Sequence, residues 1–179
     1  MTTATLPPAA PAALPPRAPA TRWPGALRPA AAAFTVRPAR EGDGPALAAL
    51  SRPFVRAGAL RERPLSLYLA RASDFLVAQA PDGTLEGGLG LSEHATDGVL
   101  YNFCVAAHRQ GSGMGGRLLR AALARARGRA LGRLFTATTG SGRLFLGHGF
   151  VPVAPELAPP AWARTLDPGR DARVLARTL

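Results

Sequence analysis

The chain has 179 residues, which is long enough for one domain with its own hydrophobic core. Its formal net charge is +11, and all of its basic residues are arginine because the sequence contains no lysine. Arginine favours phosphate and carboxylate ligands, but aromatic residues are few and neither a basic block nor a zinc-ligand spacing is present. The composition therefore argues against a nucleic-acid partner.

The sequence also indicates a cellular compartment and a domain boundary. The one cysteine, Cys104, excludes an internal disulfide and is typical of a reducing compartment. No apolar run approaches the roughly 20 residues that span a bilayer, so we expect a soluble, cytoplasmic protein with no membrane partner. Residues 1–33 are mostly alanine, proline and threonine, which predicts a disordered leader without the features of a secretory peptide. Residues 34–179 are then expected to form a single domain.

Within that domain, strand and helix patterns alternate. Proline near residue 53 is expected to break the first helix, and Pro81-Asp82-Gly83 predicts a hairpin turn. Residues 155–170 have no regular pattern beyond one helical turn near Trp162. The order predicts a mixed α/β sheet. Strands are expected over residues 34–38, 75–80, 85–91, 99–105, 134–138, 150–153 and 174–178, and helices from about residue 43, after residue 64, over 114–129 and over 141–147.

A glycine-rich turn lies between the strand ending at Val105 and the helix beginning at Met114. Glycine lets the backbone turn sharply, and the free N–H groups that open a helix bind phosphate with the help of the helix dipole. A P-loop needs a lysine, which is missing. A dinucleotide fingerprint needs an acidic residue about 20 positions on, and none occurs between Gly98 and Pro155.

A third phosphate-binding pattern, Q/R-x-x-G-x-G/A, fits this turn, and Gly149-Phe150 follows the next short helix. Together these motifs resemble the acyl-CoA signatures of the GNAT N-acetyltransferase superfamily, although such turns also occur for packing alone. The resemblance implies a single-domain, mostly antiparallel mixed α/β sheet flanked by helices, with acetyl-CoA as co-substrate and no metal. It places the CoA contacts at Phe103, Cys104, Val105, Gln110, Gly111, Ser112, Gly113, Met114, Gly115 and Gly116.

A closer resemblance is to the acetyltransferase domain of the N-acetylglutamate synthases, in a short, stand-alone form. It implies transfer of acetyl from acetyl-CoA to the α-amine of an amino acid, most directly L-glutamate, as the first step of arginine biosynthesis. The resemblance also leaves a homodimer open. It rests on seven short stretches: Val36–Ala39, Ser51–Phe54 followed by Gly58, Asp74–Val77, Arg133–Phe135, Ala137–Thr139, Phe145 with Gly149-Phe150, and Gly169–Leu175.

The resemblance to the synthases also implies roles for individual residues. The arginines that bind substrate carboxylates fall on Arg63 and Arg170, and Ser141 is a further candidate for substrate binding. The family has a hydroxyl-bearing residue just before the short helix, and Thr138 supplies that hydroxyl here. Thr138 is therefore a candidate catalytic residue. The second arginine belongs to an R-x-S pattern, but Ala172 stands where serine is expected.

Two further positions depart from the family and concern proton transfer. Val99 occupies the place of a glutamate that could accept the amine proton, and Phe145 occupies the place of a tyrosine that many GNAT enzymes use as an acid. Proton removal then falls to a water relay, or to Glu93, His94 or Asp97 just upstream. Two alternatives stay open: a GNAT enzyme with another amine acceptor, and a CoA- or nucleic-acid-binding protein without catalysis.

Overall fold

The computed structural model describes residues 33–179, so the predicted leader over residues 1–33 lies outside the described residues except for Ala33. Seven strands of this part of the chain form one sheet in the order β1-β2-β3-β4-β5-β7-β6. Neighbouring strands run antiparallel except β4 and β5, which are parallel. The strands are β1 (Thr35–Pro38), β2 (Phe75–Gln79), β3 (Leu85–His94), β4 (Asp97–Val105), β5 (Arg133–Thr138), β6 (Val151–Pro152) and β7 (Arg173–Thr178).

Helices cover both faces of the sheet. On one face, α3 buries its apolar stripe, including Leu118 and Leu119, against Leu89, Leu100 and Leu134. On the other face, α1 and α2 bury apolar and aromatic side chains against β2. Burying one such side chain stabilises the fold by about 1.5–3 kcal/mol, so these two layers hold the sheet in place. The helices are α1 (Gly44–Arg56), α2 (Leu65–Ala70), α3 (Met114–Gly128), α4 (Arg143–Leu146) and α5 (Pro160–Ala163).

The first helix and the third strand are longer than the sequence predicts. The expected break near Pro53 is wrong, because α1 continues to Arg56. Proline lacks an N–H group, but its carbonyl still accepts a hydrogen bond from Ala57 N at 3.1 Å. Likewise β3 runs to His94 rather than ending near residue 91, since its polar end pairs with the start of β4.

The central strand β4 contains a bulge. Gly88 pairs with Cys104 and Gly90 with Tyr101, so that two residues of β4 face one residue of β3. Asn102 has a φ of 50° there, a left-handed conformation that asparagine tolerates better than most residues. The bulge changes the direction of the strand in its second half.

The parallel pairing between β4 and β5 stops before this bulge. It covers only the three pairs Asp97↔Arg133, Gly98↔Leu134 and Val99↔Phe135, while β5 goes on pairing with β7 up to Thr138. One side-chain bond follows, from Thr136 Oγ1 to Leu100 O at 3.2 Å. We refer to the opening between residues 100–105 of β4 and residues 136–138 of β5 as the fork. Backbone groups on this side of β4 are available to a ligand.

Cys104, in the second half of β4, is a buried residue with only 3% of its surface exposed. Burial raises its pKa from the ordinary 9.0 to about 12, against the opposing effect of a hydrogen bond with Ser51. The thiolate is the reactive form, and it is scarce at pH 8 when the pKa is this high. Because the folded pKa is raised, the contribution of Cys104 to the free energy of unfolding is constant below pH 9 and decreases as the pH rises from 9 towards 12.

We predict that Cys104 of the folded protein does not react with a disulfide reagent such as Ellman's reagent at pH 8. In a denaturant that unfolds the protein, one equivalent should react at once, as recorded by absorbance of the released thiolate. Rapid reaction of one equivalent in the native protein would show that the thiol is accessible and ionised, contrary to its burial.

Candidate active site

The glycine-rich turn after β4 is built from left-handed backbone. Gly111 has a φ of 76° and Gly113 a φ of 85°, and a Cβ on either glycine would meet open space. At Gly115, an added Cβ would lie 3.2 Å from Leu144 Cδ2 and 3.5 Å from Phe103 Cζ. The glycines therefore leave backbone N–H groups open around the start of α3, while the N–H of Met114 donates to Ser112 Oγ at 3.4 Å.

A cleft of about 520 Å³ opens beside this turn, which we call the loop cleft. Most of the predicted CoA-contact residues line it. Two do not: Met114 is fully buried in the core, and Ser112 Oγ donates to Arg109 O at 2.5 Å. The lining residues are Phe54, Phe103, Cys104, Val105, Arg109, Gln110, Gly111, Gly113, Gly115, Gly116 and Leu144.

The turn is tied to β3 by an ion pair that the sequence did not reveal. Arg109 Nε lies 2.9 Å from Glu86 Oε2, and both side chains are less than 15% exposed. His108 Nε2 lies 2.9 Å from the other carboxylate oxygen of Glu86. Gln110 Nε2 donates to Val105 O at 3.2 Å. These contacts fix the turn against the sheet, since a buried charge pair is costly to break.

The bulge of β4 is held from the other face of the sheet by a chain of buried hydrogen bonds. Asn102 Nδ2 donates to Ser51 Oγ at 2.9 Å, and Ser51 Oγ donates to Leu47 O in α1 at 2.8 Å. Tyr68 Oη of α2 donates to Asn102 Oδ1 at 3.4 Å. Helices α1 and α2 therefore set the position of the bulge.

A second cleft, of about 110 Å³, lies next to the bulge, and we call it the arginine cleft. Arg63, Arg170 and Ala172 all line it, so the two predicted carboxylate-binding arginines are brought together from distant parts of the chain. Tyr101 and Asn102 also line the arginine cleft, while the next residues of β4 line the loop cleft. The two clefts thus meet along one strand.

The two arginines are held in different ways. The Arg63 guanidinium carbon lies 5.0 Å from the centre of the Tyr101 ring, and burial lowers the pKa of Arg63. Arg170 Nη2 donates to Gly58 O at 2.5 Å. Asp167 also lines the cleft, and its Oδ1 accepts a hydrogen bond from Gly169 N at 2.9 Å. The sequence does not identify Asp167 as a site residue, because an acidic residue before Pro-Gly is typical of a turn.

A third cleft, of about 450 Å³, shares Arg63 and Tyr101 with the arginine cleft. We call it the histidine cleft because His94 lines it, together with Ser92 and Val99. Ser92 is the cross-strand partner of Val99, and its Oγ lies 3.2 Å from His94 Nε2. A titratable side chain therefore lies beside the position where the synthase family has glutamate.

The other two acidic candidates have arginine partners. Glu93 pairs with Arg129, the residue that follows α3, and it lines neither the arginine cleft nor the histidine cleft. Asp97 is bound by Arg133, whose Nε and Nη2 lie 3.1 Å and 2.8 Å from its two carboxylate oxygens. Of the three candidates for proton removal, only His94 is among the residues that line a cleft next to the arginines.

The candidates at the end of β5 lie beside the arginine cleft rather than in it. Thr138 Oγ1 accepts from Gly140 N at 3.2 Å, while its neighbours Ala137 and Thr139 line the cleft. Ser141 is exposed and lines none of the three clefts. Within residues 33–179, the Ser141 side chain forms no hydrogen bond with the other candidate site residues.

Phe145 stands where the resemblance places a tyrosine acid, and it is a core residue. Its ring packs edge-on against Phe103 at 5.7 Å and against Phe150 at 5.5 Å.

Within residues 33–179, no group of three or more His, Cys, Asp or Glu side chains is arranged to hold a metal ion. No helix of that part of the chain is long and apolar enough to cross a membrane.

Comparison with known proteins identifies the family of the chain. The acetyltransferase (GNAT) family matches residues 45–150. The amino-acid acetyltransferase of Neisseria meningitidis is 31% identical over 148 residues, which cover 81% of this chain and 34% of that protein. The chain therefore spans about a third of the length of this curated relative.

Solved structures give the same result. The N-acetylglutamate synthase of Neisseria gonorrhoeae, in complex with coenzyme A and N-acetyl-glutamate, superposes with a TM-score of 0.77 at 31% identity. The match covers 83% of this chain and 35% of that one. A Mycobacterium tuberculosis protein solved with CoA shares the fold at 24% identity, with a TM-score of 0.69 over 81% of this chain and 99% of its own. The chain belongs to the acetyltransferase (GNAT) family.

Proposed function

We propose that the chain is an amino-acid N-acetyltransferase that transfers acetyl from acetyl-CoA to the α-amine of an acidic amino acid, L-glutamate first among them. The observation that carries this proposal is the arginine cleft, where Arg63 and Arg170 lie together beside the bulge of β4. Two guanidinium groups in one cleft suit an acceptor with two carboxylates. With glutamate as acceptor, the reaction is the first step of arginine biosynthesis, and we place it in the cytoplasm.

The loop cleft suits acetyl-CoA. Backbone N–H groups of the glycines within residues 111–116 would bind the pyrophosphate, because no side chain stands in front of them and the dipole of α3 favours negative charge there. The fork would admit the pantetheine arm along β4, whose backbone has no strand partner on that side beyond Val99 among residues 33–179. The thioester would then lie near residues 103–105, next to the arginine cleft.

The transfer is a direct attack of the amine nitrogen on the thioester carbonyl. The C–N bond forms and the C–S bond breaks, so that the amine loses a proton and the CoA thiolate gains one. A backbone N–H of β4 near Phe103 would stabilise the oxyanion, which is commonly worth a few kcal/mol. An acetyl-cysteine intermediate does not enter this scheme, because burial keeps the Cys104 thiol protonated.

Proton removal from the acceptor ammonium is assigned to His94. An ammonium cannot attack, so the reaction needs an acceptor for its proton, either in direct contact or through water. His94 lines the histidine cleft, which shares Arg63 and Tyr101 with the arginine cleft, and Ser92 holds the imidazole at 3.2 Å. Thr138 at the edge of the arginine cleft is proposed to relay the second proton: its hydroxyl gives a proton to the leaving thiolate and receives the one that the nitrogen loses as the C–N bond forms.

A screen of the twenty amino acids as acceptors, with CoA thiol release as the readout, tests the proposal. We expect release with L-glutamate, and weaker release with amino acids that lack a side-chain carboxylate. Replacing Arg63 by alanine should raise the KM for L-glutamate about 10- to 100-fold, because charge-assisted hydrogen bonds are worth about 1.5–3 kcal/mol. The KM for acetyl-CoA should stay within about twofold.

Arg164→Ala is the matched control, since Arg164 is an exposed arginine that lines neither the arginine cleft nor the histidine cleft. It should leave both KM values unchanged. Release that depends on a cationic amine and not on an acidic amino acid would refute the proposed acceptor while keeping the family. If Arg63→Ala raised the KM for L-glutamate and the KM for acetyl-CoA equally, Arg63 would have a structural role instead.

Replacing His94 and Glu93 separately decides between the two neighbours as proton acceptor. His94→Ala should lower kcat for L-glutamate about 100-fold, the usual size of a general-base contribution, and added imidazole should restore part of it. Glu93→Gln should leave kcat nearly unchanged, because its carboxylate pairs with Arg129 outside the arginine and histidine clefts. A larger loss of kcat in Glu93→Gln than in His94→Ala would reverse the assignment.

A further inference from the structure

Tyr101 lies flat across the neighbouring strand at the position just before the bulge. It is the cross-strand partner of Gly90, and a Cβ added to Gly90 would lie 2.6 Å from Tyr101 Cζ and 2.7 Å from Cε1. An aromatic ring cannot yield at that distance as the end of a flexible side chain can. Glycine at position 90 is therefore what allows the ring to occupy this place.

Two further contacts fix the ring. Tyr101 Oη donates to Asp74 Oδ2 at 3.2 Å, and the Phe75 ring meets the tyrosine ring at 5.2 Å in an edge-to-face arrangement. Burial, reinforced by the charge of Asp74, raises the pKa of Tyr101, so the phenol stays protonated and remains a donor. The ring is thus held through its face, its edge and its hydroxyl group.

The other face of this ring carries Arg63. The guanidinium carbon lies 5.0 Å from the ring centre, within the range of a cation–π contact. Among residues 33–179, Arg63 has neither a salt bridge nor a side-chain hydrogen bond. A cation–π contact positions a guanidinium without occupying its N–H groups, whereas an ion pair with a carboxylate would use them. Those donors stay free for a ligand.

We propose that Tyr101 is a positioning residue that sets Arg63 for a carboxylate of the acceptor, and that Gly90 and Asp74 support it. The inference rests on the proposed function, because it assigns the acid specificity of that same site. It makes the affinity for an acidic acceptor depend on a tyrosine ring that forms no hydrogen bond to the acceptor itself. Neither Tyr101 nor Gly90 belongs to a motif that indicates a substrate-binding role from the sequence.

A double-mutant cycle between Tyr101 and Arg63 tests this inference, with KM for L-glutamate as the readout. Tyr101→Leu should raise that KM about 3- to 30-fold, the range of a cation–π contact, and leave the KM for acetyl-CoA unchanged. In the Arg63→Ala background, the same change should have no further effect on the KM for L-glutamate. Coupling of this kind is not expected of a residue that merely stabilises the fold.

Two more variants keep the test decisive if Tyr101→Leu does not fold. Tyr101→Phe retains the ring and loses only the bond to Asp74, so it should raise the KM for L-glutamate less than fivefold. Gly90→Ala should displace the ring and raise the same KM as Tyr101→Leu does. Equal effects of the Tyr101 changes in both backgrounds would overturn the positioning role. Wild-type protein that releases no CoA with acidic amino acids would instead overturn the proposed function and the inference with it.

Discussion

The structure depends on one interruption in hydrogen bonding, the end of the β4–β5 pairing after Val99. A continuous pairing would satisfy the backbone of β4 on both sides and leave no room for a ligand. The bulge at Asn102 redirects β4, and the fork opens where the two strands no longer pair. Asparagine at a φ of 50° is held there by Ser51 and Tyr68, so the helices on one face determine the shape of an opening in the sheet.

The three clefts that the proposed reaction uses meet along strand β4. Residues 103–105 line the loop cleft, Tyr101 and Asn102 line the arginine cleft, and Val99 lines the histidine cleft. Neighbouring residues of a strand lie about 3.3 Å apart, so a thioester and an amine bound on either side of the bulge would be brought into contact. Holding two reactants in contact in this way lowers the barrier by several kcal/mol.

The departures from the synthase family have structural counterparts. Phe145 packs between two other aromatic rings, which explains why no hydroxyl is needed at that position for the fold. Val99 is buried beneath the residues that precede β7, in a small apolar cluster with Phe135 and Val174. Glutamate is absent from that position, and His94 on the adjacent strand is a titratable side chain that lines the same cleft as Val99.

The sequence predicts the parts of this fold that depend on local patterns. Periodic apolar residues place α3 to within one residue at its end, and glycines at positive φ mark the turn before it. The sequence does not reveal the bulge, because one asparagine in an apolar strand carries no such signal. The buried Glu86–Arg109 pair and the meeting of Arg63 with Arg170 arise from tertiary contacts between residues far apart in the chain.

The proposed reaction requires the fork to bring CoA and an acidic acceptor together. A crystal structure with CoA and N-acetyl-L-glutamate tests it most directly. We expect the pyrophosphate at residues 111–116, the acetyl group beside residues 103–105 and the product carboxylates on Arg63 and Arg170. A complex in which CoA occupies the turn while N-acetyl-L-glutamate binds away from both arginines would contradict it.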